Sequence, residues 1–161
     1  MTWRNQRIDD RLIHGQVVVA WGAALRLNRL LVVDDAAAAS AWERDLLVSS
    51  APGIAVSVVP VGEGPAAWEA GRAAAGCGML VVRDLRTARR LVEAGAQVPA
   101  FTVGGLHYAP GKTKLNDYVY LDDADREDAR ALLRLGVALE VQDVPASRAL
   151  PLVQLDPALP S

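Results

Sequence analysis

Short apolar runs rich in valine and leucine alternate along this chain with longer stretches in which alanine and leucine recur at helical spacing. RLLVV (29–33), ending in Asp34-Asp35, predicts a buried strand, and IAVSVVPV (54–61), GMLVVRD (78–84) and VPAFTVGG (98–105) predict further strands. Between them lie amphipathic, Ala-rich segments: AAAASAWERDLLVSS (36–50) stopped by Pro52-Gly53, PAAWEAGRAAAG (65–76), and LRTARRLVEAG (85–95) with a glycine stop. QVVVAWGAALRL (16–27) predicts a helix although Val17, Val18 and Val19 are poor helix formers. Further on, KLNDYVYL (114–121) alternates as a strand. DDADREDARALLRLG (122–136) opens with acids suited to a helix N-terminus and ends in glycine, and VALEVQDV (137–144) is the last strand. A proline-punctuated tail follows from about residue 145.

Strand–helix alternation with short connections predicts one three-layer α/β/α domain over 1–161. Its sheet is expected to be mostly parallel and doubly wound, with room for an antiparallel edge strand among the later strands. Such sheets bind ligands at the carboxyl ends of their strands, where connections diverge to opposite faces. Asp9–His14, Asp34-Asp35, Asp84 and Gly104–Lys112 all follow predicted strands and are therefore expected on one rim.

Composition narrows the function classes. The 161 residues carry 17 basic and 19 acidic side chains, a net charge of −2, which gives no nucleic-acid footprint. Lys112 and Lys114 are the only lysines. The single Cys77 makes no internal disulfide and reads as a buried structural thiol. MTWRNQR lacks the apolar core of a signal peptide, and the longest near-apolar runs, such as 17–25, fall short of the ~20 residues that span a bilayer. A soluble protein of a reducing cytoplasm is expected, with any membrane role exercised through a partner.

The chemistry is concentrated in RIDDRLIHGQV (7–17), where Arg7, Asp9, Asp10 and Arg11 surround His14, one of only two histidines. Neutral imidazole is a competent nucleophile near neutrality, because its ordinary pKa is about 6.5. A phosphoryl group on imidazole remains transferable, and transfer depends on in-line positioning and on stabilising charge on the equatorial oxygens. Arg7 and Arg11 can supply that charge as guanidinium forks. Backbone N–H groups at Gly15 and Gln16, where the next helix begins, can add to it. Asp10 is placed to orient the imidazole or to hold Arg11. The blander alternative is that Asp9 and Asp10 cap a turn and the arginines are solvated.

The same residues carry a family resemblance. RIDDRLIHGQVVVAWG (7–22) resembles the active-site signature of the IIB subunits of the mannose/fructose/sorbose family of the bacterial phosphotransferase system. LLVVDD (30–35), FTVGGLHYAPGKTKL (101–115) and GVALEVQDVP (136–145) follow in that family's order and spacing. The resemblance implies a doubly wound domain with the histidine after the first strand. It also implies phosphoryl transfer from the phosphohistidine of a IIA domain to His14, and on to a sugar held by a membrane IIC/IID permease. His14 is then the carrier and Arg7 and Arg11 its basic neighbours, with Asp10 supporting the loop. No metal or cofactor is expected, because arginines and backbone dipoles can take the place of Mg²⁺. One departure stands out: the first strand, apolar in the family, here reads Trp3-Arg4-Asn5-Gln6.

Other groups read as the border of the site. Gly104-Gly105 suits a tight loop beside His14, His107 lies in that loop as a surface histidine, and Asp34 caps a helix at the rim. Gly111-Lys112-Thr113 lacks the glycine spacing of a nucleotide loop and leads into a strand. Asp34-Asp35, Asp84, Thr102 and Lys112 imitate a phospho-aspartate receiver, but a whole loop and helix precede the acidic pair. The tryptophans (3, 21, 42 and 68) read as core or half-buried. A phosphorylation-dependent regulatory module without a transporter, and a receiver-like domain, are the alternative functions.

Overall fold

The computed structural model describes residues 2–15 and 17–159. The chain runs β1 (Thr2–Asp9), a π-helical segment (Val17–Trp21) continuing into α1 (Gly22–Leu25), β2 (Arg29–Val33), α2 (Asp35–Ala39), α3 (Ala41–Ser49) and β3 (Ala55–Val59). It continues through a 3₁₀ turn (Val61–Glu63), α4 (Gly64–Ala73), β4 (Cys77–Val82), α5 (Leu85–Glu93) and β5 (Ala100–Gly105). The hairpin β6 (Thr113–Asn116) and β7 (Val119–Leu121) comes next, followed by α6 (Asp123–Arg134), β8 (Ala138–Val141), β9 (Leu150–Pro151) and α7 (Leu152–Leu155).

Seven strands form one sheet in the order β3-β2-β4-β1-β5-β8-β9, parallel except for β9, which pairs antiparallel with β8. Because the central strands are apolar on both faces, two cores form. Leu30, Val32, Met79 and Val81 pack on one face with Val17, Trp21 and Leu47. Leu31, Val33, Leu80 and Val82 pack on the other with Trp68, Leu91 and Leu132 of α4, α5 and α6. This is the three-layer α/β/α architecture expected from the alternation. The chain leaves β1 over the first face toward β2 and leaves β5 over the second toward β8. The carboxyl ends of these adjacent strands therefore flank the point where the connections diverge.

The polar start of β1 is accommodated by a bulge. Trp3 pairs with Gly78 and Asn5 with Met79, so Arg4 is the extra residue and stays exposed. Trp3 stacks on Trp68 with ring centroids 4.6 Å apart and donates its indole N–H to Trp68 O at 3.1 Å. Asn5 donates to Thr102 Oγ1 at 3.1 Å. A central strand thus tolerates these residues because Arg4 is ejected, Trp3 packs on α4 and Asn5 finds a partner on β5.

Several element boundaries differ from the sequence reading. The segment 36–50 is two helices, broken at Ser40, whose hydroxyl accepts the Glu43 N–H at 3.2 Å and starts α3. The segment 114–121 is not one strand but a hairpin outside the main sheet. Its turn is closed by Asn116 Oδ1 accepting the Tyr118 N–H at 2.9 Å. The antiparallel edge lies in the tail, at Leu150–Pro151. Cys77 is half-buried rather than buried, and Trp42 projects into solvent. Among the described residues no helix is long and apolar enough to cross a membrane.

Replacing Ser40 with alanine removes the cap that separates α2 from α3. The expected loss is about 1 kcal/mol of stability, read as a lower urea midpoint at unchanged slope.

Candidate active site

Alternation along β1 sends Ile8 into one core and turns Arg7 and Asp9 to the opposite face. Both charged side chains are fully buried. Burial of two ions is costly unless their hydrogen bonds are met, and here they are. Arg7 Nε lies 3.2 Å from Asp9 Oδ2, and its two terminal nitrogens donate to Gln142 O and Gly104 O, each at 3.3 Å. The guanidinium carbon also sits 5.4 Å from the centroid of the Trp21 ring, and Trp21 Nε1 donates to Asp143 O at 2.9 Å. Gly104 leaves the space for this group, since a β-carbon there would lie 2.0 Å from Arg7 Cζ.

Asp9 is the hub of the loop that follows. Its Oδ1 accepts the Arg11 N–H at 3.1 Å and its Oδ2 meets His14 Nε2 at 2.9 Å. Its backbone carbonyl accepts the Leu12 N–H at 2.9 Å, closing a turn in which Leu12 adopts φ 56°, a left-handed conformation rare for a bulky residue. Leu12 is held there by burial beside Ile13 and Val17. Burial alone would raise the Asp9 carboxyl, but the His14 bond, the charge of Arg7 and the Arg11 amide outweigh it and hold the pKa below the ordinary carboxylate value. Burial lowers the Arg7 guanidinium against the pull of Asp9, which does not discharge an arginine near neutrality.

An ionised carboxylate can only accept, so the hydrogen shared with Asp9 resides on His14 Nε2. The lone pair is therefore on Nδ1. The His14 side chain is 16% exposed and that of Arg11, whose Nε lies 3.6 Å from Asp9 Oδ1, is 48% exposed. His14 O accepts the Val18 N–H at 3.1 Å. The three valines that fit poorly in an α-helix occupy the π-helical segment, a geometry common at functional sites.

Two expected assignments are corrected by this geometry. Arg7 was expected beside a phosphate, but it is fully buried and all three of its nitrogens meet protein acceptors, so it faces inward. Asp10 was expected to orient His14 or hold Arg11; Asp9 does both. Asp10 instead accepts both the backbone N–H and Nδ1 of His107, each at 2.7 Å, while donating its own N–H to Gly105 O at 2.9 Å. Asp9, read only as part of a charged turn, is the residue the sequence reading underrated. The signal available was its place at alternate spacing from Arg7 on a strand end.

The remaining border residues separate into two groups. Gly104, Gly105 and His107 adjoin the Arg7–Asp9–His14 cluster; a β-carbon on Gly105 would touch His107 Cε1 at 3.1 Å and Asp9 Oδ1 at 3.2 Å. Asp34 lies on the same rim but two strands away. It caps α2 through the Ala37 N–H at 2.9 Å and pairs with Arg83 at 3.0 Å. Asp84 caps α5, and Lys112 is bound to Asp125 at 2.8 Å. The acids and lysine that imitate a receiver are thus spent on caps and ion pairs. Gly15 opens toward free space, and Gln16 lies outside the described residues.

A buried charged cluster thus stands at the divergence point of a doubly wound sheet and holds one histidine by a ring nitrogen. The family model for the sorbose subfamily IIB component of the phosphotransferase system matches residues 4–157. The chain belongs to that family. It is 35% identical over 150 residues to the mannose-specific EIIAB component of Escherichia coli K12, covering 92% of this chain and 46% of that protein. The chain thus spans about half the length of that relative. It is 34% identical over 143 residues to the N-acetylgalactosamine-specific phosphotransferase enzyme IIB component 1 of the same strain, covering 88% and 90% of the two chains. The structure of the IIBSor domain of the sorbose permease from Klebsiella pneumoniae superposes with a TM-score of 0.86 at 29% identity, over 96% of each chain.

Asp9→Asn removes the counter-charge of a buried guanidinium and is expected to cost about 3 kcal/mol at neutral pH. Because the folded carboxyl titrates below its unfolded value, Asp9 stabilises above the ordinary carboxylate pKa of about 3.9 and loses that contribution as pH falls through the folded value. The gap between wild type and Asp9→Asn in urea unfolding should therefore hold from pH 7 to 5 and begin to narrow only below about pH 4. Gly104→Ala should displace Arg7 and cost about 2 kcal/mol as an unpaired buried group, whereas Gly15→Ala, in open space, should leave the unfolding midpoint nearly unchanged.

Proposed function

We propose that this chain is a phosphoryl carrier of a sugar phosphotransferase system, acting through a covalent phospho-His14 intermediate. The observation that carries this reading is the division of the His14 ring. Nε2–H is held by the buried, ionised Asp9, leaving the Nδ1 lone pair as the nucleophile. The phosphorylated form is accordingly an N(pi)-phosphohistidine. When a phosphoryl group arrives on Nδ1, positive charge develops on the ring, and Asp9 stabilises it through the Nε2–H bond. Arg11, exposed at the outer edge of Asp9, is available to pair with phosphoryl oxygens and neutralise charge during in-line transfer. Arg7 acts as a positioning residue: its fixed charge keeps Asp9 ionised and aimed at His14.

The donor on this reading is the phosphohistidine of a IIA domain, and the acceptor a sugar hydroxyl presented by a membrane IIC/IID permease. The chain then works at the cytoplasmic face of that membrane without crossing it. Related proteins are named for mannose, N-acetylgalactosamine, sorbose and fructose, which suits a carrier whose site contacts phosphate and leaves sugar choice to the permease.

Incubation with ³²P-labelled IIA tests the reading. Wild type should take up acid-labile, alkali-stable label and His14→Ala none; undiminished labelling of His14→Ala would exclude His14 as carrier. Arg11→Ala should slow uptake by about 10²-fold, in the range seen on removing one electrostatic stabiliser, with an unchanged unfolding midpoint. An unaltered rate would remove Arg11 from the transfer.

A further inference from the structure

The two transfers proposed for His14 differ in their proton balance. Between two imidazoles, the N–P bond of the donor breaks as the His14 Nδ1–P bond forms, and no hydroxyl proton has to leave. In the second transfer a sugar hydroxyl forms an O–P bond as the Nδ1–P bond breaks. His14 returns to its neutral Nε2–H form, and the hydroxyl proton needs an acceptor. His14 cannot be that acceptor during attack, because Nδ1 is the leaving atom and Nε2 already carries hydrogen. Asp9 is buried behind the ring and its oxygens are occupied by Arg7, Arg11 and His14.

Beside this cluster stands a second imidazole built in a manner unlike a solvated surface histidine. Asp10 binds His107 twice, at the backbone N–H and at Nδ1, both at 2.7 Å. The preceding residue is pinned from both sides: Leu106 N–H donates to Tyr118 O at 2.9 Å and Leu106 O accepts the Tyr120 N–H at 2.7 Å. Since a carboxylate accepts only, His107 carries its hydrogen on Nδ1 and leaves an Nε2 lone pair. Its Cε1, bonded to that nitrogen, lies over Gly105 at the place where a methyl group would also touch Asp9. The ring is partly open to solvent, so an incoming hydroxyl can reach it. A base and its orienting carboxylate, beside the phosphoryl-carrying ring, form a general-base dyad.

We propose that His107, oriented by Asp10, is the general base of the second transfer, accepting the proton of the sugar hydroxyl on Nε2 as that oxygen attacks phospho-His14. The resulting imidazolium is stabilised by Asp10 and returns its proton to solvent. This rests on the carrier reading of His14, and it assigns the two histidines to different steps.

The half-reactions separate the two claims. Labelled IIA is mixed with wild type, His107→Ala and His107→Gln, and uptake is timed. The phosphorylated proteins are then added to membrane vesicles containing the cognate permease, with mannose, fructose, sorbose and N-acetylgalactosamine supplied separately and sugar phosphate measured. His107→Ala and His107→Gln should accept phosphate within about twofold of wild type and deliver it at least about 10²-fold more slowly, the usual contribution of a general base. Added imidazole should restore part of the delivery rate to His107→Ala. Delivery within threefold of wild type would overturn the assignment, as would an equal loss in both halves, which would mark His107 as a docking or loop-building residue. Failure of wild type to take up label from IIA would instead overturn the carrier reading, and this inference with it.

Discussion

A buried guanidinium–carboxylate pair, Arg7 with Asp9, is the constraint on which the rest of the site depends. An isolated ion in a protein interior costs several kcal/mol, and the pair is tolerated because each nitrogen of Arg7 has an acceptor and Asp9 has several donors. The partners come from β1, from the end of β5 and from the residue after β8. The ion pair therefore ties three neighbouring strands together at their carboxyl ends. It also fixes the charge state of Asp9, and through Asp9 the tautomer of His14.

From that anchor the loop acquires its shape in a chain of dependencies. Asp9 gathers the Arg11 amide and the Leu12 amide, and the turn so formed places Leu12 in a left-handed conformation that only its buried side chain makes tolerable. His14 is then delivered back onto the same carboxylate, and Arg11 is left outward. Two arginines four residues apart end in opposite environments because one lies on a strand inside the sheet and the other on the turn beyond it. The adjacent carboxylates divide in the same way: Asp9 serves His14 and Asp10 serves His107. Each imidazole faces one acceptor-only partner, so each has one nitrogen committed and one lone pair assigned. The two rings stand on neighbouring loops, the placement on which the proposed division of the two transfers rests.

The glycines at 104 and 105 show how closely the β5 end is fitted to this arrangement. One lies against the Arg7 guanidinium and the other between His107 and Asp9. Neither requirement is conformational; both are matters of volume. The bulge at Arg4 plays the complementary part at the other end of β1, ejecting a charge that the sheet could not hold while keeping the register that brings Arg7 and Asp9 to their places.

Much of the architecture was readable from periodicity alone. The runs at 29–33, 78–84 and 98–105 are apolar on both faces, the pattern of buried parallel strands, and strand ends in such a sheet share a rim. The charged cluster around His14, and its family signature, also stood in the sequence, because a histidine among arginines and aspartates needs no folding to be noticed. Local chemistry that competes with a periodic pattern was harder to see: Ser40 cutting a helix in two, and Asn116 turning an alternating run into a hairpin. What only the tertiary structure decided was the assignment of roles. Whether a charged residue faces solvent or the core depends on which strands flank it and which carbonyls lie across the sheet. Gly104 and Gln142, far from Arg7 along the chain, make it an internal support, and Asp9 rather than Asp10 becomes the partner of His14. The sequence by itself named the histidine; the packing of β1 against β5 and β8 determined which carboxylate holds it and by which nitrogen.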